Sequence, residues 1–190
     1  LAEAGANGGT NVSLATGDGN LTTAESASAV NAYIEGNVTV VTEGDVNVGA
    51  ELGGTVTSRA QAPDTNVTLL SIGVVKVIAT FAQDTVSARI AGNANVTGGS
   101  VDVIAVANGT ATAIAEQPNT TVSGVDVSVI YAEARVGTRT VTSSVGSGAT
   151  VQSTGTQADD GVNVAAASST ILNAYSNHGT SVSLVGVGKY

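Results

Sequence analysis

Apolar and polar residues alternate along this chain in short bursts, and the bursts recur. Phrases such as NVSL, NVTV and NVTL set Val, a polar residue and a second apolar residue in a period of two, the pattern of a half-buried β-strand. One set begins at Val12, Val38, Val67, Val96, Val125, Val151 and Val182, with a mean spacing of about 28 residues. A second set follows it: GDVNV (44–48), GSVDV (99–103) and DGVNV (160–164). A third comprises AVNAYI (29–34), TVTSRA (55–60), TVSARI (85–90), TATAIA (110–115), TVTSSV (140–145) and TILNAY (170–175), centred on Val30, Val56, Val86, Ala111, Val141 and Ile171. Gly, Asn and Asp separate the bursts, as turn chemistry requires. No segment carries a helical period with caps, and Pro63 and Pro118 fall in the loop phrases QAPDT and EQPNT.

Three strand phrases repeating together predict a solenoid, in which each turn of chain buries its apolar face against the next. The expected fold is an all-β parallel β-helix of about six three-sided coils of about 28 residues. Inward V-x-V residues would stack on neighbours ~4.8 Å away, and parallel crossovers predict a right-handed winding. Alternate coils match best (Val12, Val67, Val125 and Val182), so the chain reads as one β-solenoid segment over residues 1–190. Its two-coil units start near 10, 65 and 123, with a truncated one at 180. A β-sandwich would also use short alternating strands, but it supplies no reason for the period.

Composition sharpens this picture. The 190 residues are 42% hydrophobic but only 3% aromatic, with no Cys, Met or Trp. Small and β-branched apolar side chains suit thin, regular β layers better than one thick core. A net charge of −9 with six Lys and Arg argues against a nucleic-acid partner, which needs clustered cations. It also gives no attraction to anionic lipid. The absence of cysteine excludes disulfides and thiolate metal sites. No apolar run approaches the ~18 residues of a membrane helix, so no membrane insertion is expected.

The phrases TSVSLVGVG and TVSARIAG, with the alternating GDVNV, GSVDV and DGVNV, resemble the repeat units of very large bacterial surface adhesins, the filamentous-haemagglutinin-like proteins. The resemblance runs from about residue 10 to 188, and the first unit departs from it, since NVSLATGDGNL lacks the VGVG of TSVSLVGVG. It implies a parallel β-helix shaft in the extracellular space or at the cell surface, serving attachment, biofilm cohesion or filament structure. Such a shaft is non-catalytic and needs no cofactor. Its partner is itself, end to end or laterally, or the flanking repeats of the same chain.

Candidate chemistry was weighed against this mechanical reading. His178, the single histidine, lies in the turn phrase SNHGT without a G-x-S-x-G elbow, and reads as a solvated turn residue. Asp102 and Asp126 sit singly between valines expected to point inward, Asp45 sits singly before one, and Asp159 and Asp160 sit in a loop. No calcium-loop spacing joins them, so solvated acids are expected and no metal site. Thr55, Thr85, Thr110, Thr140 and Thr170 occupy one place in successive copies of the third phrase. Thr57, Ser87, Thr112 and Thr142 lie two residues on. This outward T-x-T ladder is the candidate ligand face, for glycan or ice, set against the ordinary preference of Thr for strands. Seven N-x-S/T sequons, at Asn11, Asn20, Asn37, Asn66, Asn95, Asn108 and Asn119, are candidate N-glycosylation sites. Finally, Val182 repeats the opening column, so TSVSLVGVGKY reads as the first strand of a further coil that needs a partner beyond it.

Overall fold

The computed structural model describes residues 2–6, 11–61, 65–117, 120–179 and 181–189. Their regular structure is entirely β. The strands are β1 (Ala2–Ala6), β2 (Asn11–Glu35), β3 (Thr39–Val41), β4 (Val46–Gln61), β5 (Thr65–Ala91), β6 (Asn95–Gly98), β7 (Val101–Gln117), β8 (Thr120–Val145), β9 (Thr150–Ser153), β10 (Val162–His178) and β11 (Ser181–Lys189). They form three sheets, ordered β1-β4-β7-β10, β11-β8-β5-β2 and β3-β6-β9, and every pairing is parallel. Parallel neighbours cannot be joined by tight hairpins. The chain instead passes from sheet to sheet and returns one layer on, in a solenoid-like arrangement. The sets β2–β3–β4, β5–β6–β7 and β8–β9–β10 are successive rungs.

The rung step corrects the expected coil of about 28 residues. Val12 pairs with Val67 and Val67 with Val122, each 55 residues on, and Val122 pairs with Val182. The half-step repeat has a physical origin. Phrases about 28 residues apart lie on different sheets of one rung, and each sheet shows the same alternation to the shared core. Three full rungs therefore stand where six coils were expected. The columns also shift slightly. Val122 rather than Val125 continues the Val12–Val67 column, Val40 rather than Val38 stacks on Val96, and Leu172 rather than Ile171 stacks on Ala111. Rung three is longer than rung two at one corner: eight residues, 154–161, separate β9 from β10, where two separate β6 from β7.

Corners and bulges decide which face each residue shows. Gly36, Gly92 and Gly148 turn the chain after the long strands with φ of 92°, 69° and 80°, a region that side chains with a Cβ rarely enter. Within the long strands the ladder breaks at the same two places in successive rungs. One break is at Leu69 and Gly124, the other at Ala82 and Gly137. A Cβ on Gly137 would lie 2.2 Å from the Ala82 carbonyl oxygen. Crossing this second break flips the inward parity. Val75, Val77, Ala79 and Phe81 are buried before it; Asp84, Val86, Ala88 and Ile90 are buried after it.

Two apolar clusters fill the space between the long sheets. One joins Val56, Ala60, Ala111, Ala113 and Ala115 of β4 and β7 to Val75, Val77, Ala79, Phe81 and Ile130 of β5 and β8. The other joins Val48, Ala50, Val101, Val103, Ala105 and Ala107 to Val86, Ala88, Ile90, Ala94 and Val96. Alanine in so many inward positions lets the two sheets approach closely.

Candidate functional site

The threonine ladder divides between two sheets. Thr55 pairs with Thr110 and Thr57 with Thr112 in the sheet of β4 and β7. Thr85 pairs with Thr140 and Ser87 with Thr142 in the sheet of β5 and β8. These two sheets enclose the core between them, so their outer faces look in opposite directions. Each patch is two rungs deep. Ile171 and Asn173 continue the first, while Ala29 and Asn31 precede the second, and Thr170 pairs with Gly109. The hydroxyls of these two patches alternate with inward residues and face outward, whereas Thr170 turns inward to Arg139, so they make no single five-rung surface. Beside the second patch, Asn31, Tyr33, Glu35, Ser87 and Arg89 line an open groove of about 310 Å³. Arg89 spans it, with its guanidinium 5.6 Å from the Tyr33 ring centre and 2.6 Å from Glu35 Oε2.

The sequons differ in their surroundings. The Asn20 side-chain amide donates to the Gln61 carbonyl at 3.0 Å, which ties it to the body of the protein. Asn37 is exposed at a corner, where its Oδ1 accepts from Asn93 at 2.9 Å. Asn95 and Asn108 are exposed on β6 and β7. Asn119 lies outside the described residues, as do the side chains of Asn11, Asn66 and His178. Among the described residues no three acidic or histidine side chains come together as a metal-binding group.

Two acids read as solvated or passed over turn out to be interior. Asp84 and Arg139 are register partners on β5 and β8 with side chains 1% and 5% exposed. Arg139 donates through Nε and Nη2 to Asp84 Oδ2, at 3.1 and 2.7 Å, and through Nη1 to Thr170 Oγ1 at 2.5 Å. Its guanidinium lies 4.8 Å from the Phe81 ring centre. Gly109 makes room for this group, since a Cβ there would meet Phe81 Cζ at 2.6 Å. The ion pair sits at the boundary of the two apolar clusters, next to the parity-flipping break. A desolvated pair of this kind adds little net stability, yet losing one partner leaves a buried uncompensated charge.

Asp126 corrects a sequence expectation outright. It is 3% exposed, whereas Val125, expected to point inward, is 37% exposed. On either side of the first ladder break, ahead of the apolar core, the usual pattern is inverted. Val67, Leu70, Ile72 and Val74 are exposed, while Thr68, Ser71, Ser123, Asp126 and Ser128 form the buried row. The other acids named in the sequence sit near the surface. Asp45 accepts from the Ser100 amide at 2.9 Å, Asp102 from Asn163 at 3.2 Å, and Asp160 from the Gln157 amide in the long corner loop.

On the outer face of β8, Tyr131, Glu133 and Arg135 form a chain. The Tyr131 hydroxyl donates to Glu133 at 2.6 Å and Arg135 donates to both carboxylate oxygens. Chiefly through the Arg135 hydrogen bond, Glu133 is held below the usual glutamate range. Donation to Glu133 raises the Tyr131 pKa. A lowered folded pKa contributes stability above the unfolded glutamate value and loses it as pH falls through the folded one. The cluster is exposed, so the effect is small and screened by salt. An NMR titration should show Glu133 ionising below the glutamate range, and Arg135→Gln should move it back. An unchanged titration in that variant would refute the assignment.

Comparison with protein-family models, curated proteins and solved structures returned no match. Fold and side-chain geometry therefore carry the functional reading.

Proposed function

We propose that this chain is a structural segment of an extracellular fibre or adhesin shaft, non-catalytic, whose rungs continue by stacking on a further copy or on flanking repeats of the same chain. The observation that carries the reading is the open edge at β10. Val162, Val164 and Leu172 are 46%, 44% and 48% exposed, while their register partners Val101, Val103 and Ala111 are at 0%. These are core positions by register, and a further layer stacked on β10 would cover them. An edge strand with unpaired backbone groups and an open apolar row is a template for pairing. The exposed row of Val67, Leu70, Ile72 and Val74 offers a second, lateral surface for packing between rods.

The interior polar groups fit a mechanical role better than a catalytic one. Asp84 and Arg139 engage each other inside the core. Among the described residues, the near-surface acids Asp45, Asp102 and Asp160 engage separate partners, one on a strand and two at corners. Electron microscopy and sedimentation at rising concentration test the reading. Rods that lengthen, and that shorten to single units in Val164→Lys or Leu172→Lys, are expected, with circular dichroism unchanged. A wild-type chain that stays monomeric at every concentration would overturn stacking between copies.

A further inference from the structure

The buried row on β5 and β8 holds a carboxylate oxygen with no hydrogen-bond partner. Asp126 is 3% exposed and its Oδ1 has no hydrogen-bond partner; Ser123, 8% exposed, has an Oγ without one. Ser71 is the register partner of Asp126 across β5, and Thr68 is that of Ser123. Ser128 follows two residues along on the same inner face and is 2% exposed. Adjacent strands lie ~4.8 Å apart and alternate residues share a face, so these oxygens line one interior slot. The next rung contributes Gly186 and Gly188 in register with Asp126 and Ser128.

Among the described side chains, the cations are all engaged elsewhere, and the side chain of Lys189 lies outside them. Arg59 pairs with Glu116, Arg89 with Glu35, Arg135 with Glu133 and Arg139 with Asp84. Lys76 stands on the outer face over Tyr131. A buried carboxylate with one oxygen left unpartnered carries a desolvation cost. Oxygen ligands of this kind, one carboxylate with hydroxyls, suit a hard cation. One negative charge is balanced by one positive charge.

We propose that the slot lined by Asp126, Ser71, Ser123 and Ser128 binds a single monovalent hard cation, of which sodium is the test case. The site lies inside the stack, so an ion bound there stabilises the folded chain by mass action. Thermal unfolding of the whole chain is compared in sodium chloride and in tetramethylammonium chloride at equal ionic strength. The midpoint should be several degrees higher in sodium and rise with its concentration. Asp126→Asn should abolish the sodium-specific part, and Asp102→Asn, on the outer face of β7, should keep it. Equal midpoints in the two salts would overturn the proposal. So would a sodium dependence that survives Asp126→Asn. Should Asp126→Asn fail to fold, crystals of the wild-type chain soaked in rubidium chloride decide. An anomalous peak between Asp126 and Ser71 supports the site, and an empty slot refutes it.

Discussion

Replacing Arg139 with methionine is expected to destabilise the fold by about 3–5 kcal/mol, the cost of stranding a buried charge. Asp84 keeps its 1% exposure and loses both hydrogen bonds to the guanidinium. Thr170 loses the donor at its hydroxyl, and Phe81 loses the cation over its ring. Methionine fills much of the same volume, so the loss measures charge rather than a cavity. The companion variant Asp84→Val with Arg139→Met removes both charges and should recover most of the stability. Urea unfolding midpoints at constant m-value read both effects. A single variant as stable as wild type would show that the pair is hydrated, and a double variant worse than the single would show that the pair is a net stabiliser.

Gly137→Ala is the second large expectation. The new Cβ would meet a backbone carbonyl oxygen at 2.2 Å, with the Ala82 carbon at 3.0 Å and the Phe81 oxygen at 3.2 Å. Backbone cannot swing away as a side chain can, so the bulge must open. Overpacking of this kind costs about 1–3 kcal/mol, or more when the backbone must shift. Gly53→Ala is the informative control. Its Cβ would meet nothing within 4 Å on an exposed stretch of β4. That change should stay within roughly 0.5 kcal/mol. Matching thermal midpoints for the two variants would contradict the contrast.

Strand phrases, turn residues and the lack of helices were all legible in the sequence, because period-two alternation is a local signal. The rung step was not. Both long sheets address one core with similar small residues, so phrases on opposite walls of a rung look like successive copies. A better guide lay in the Val–Ser/Thr pairs at 12, 67, 122 and 182, which share a register column. The Asp84–Arg139 pair was hidden for the same reason. Its members are 55 residues apart and meet only once that step is known. Facing was harder still. Val-Asp-Val occurs at 101–103 and at 125–127, with valines buried in the first and the aspartate buried in the second. The tripeptide is identical, and the ladder break at Leu69 and Gly124 sets the difference.

The long corner between β9 and β10 has a practical consequence. Rung three takes six more residues there than rung two, yet β9 stays paired with β6 and β10 with β7 along their lengths. Length at that point is absorbed outside the stack. A foreign peptide grafted between Gln157 and Asp160, beyond the backbone hydrogen bonds that Gly155 and Gly161 make to the neighbouring rung, would be displayed on the side of the rod, at a fixed height, without touching what holds the layers together.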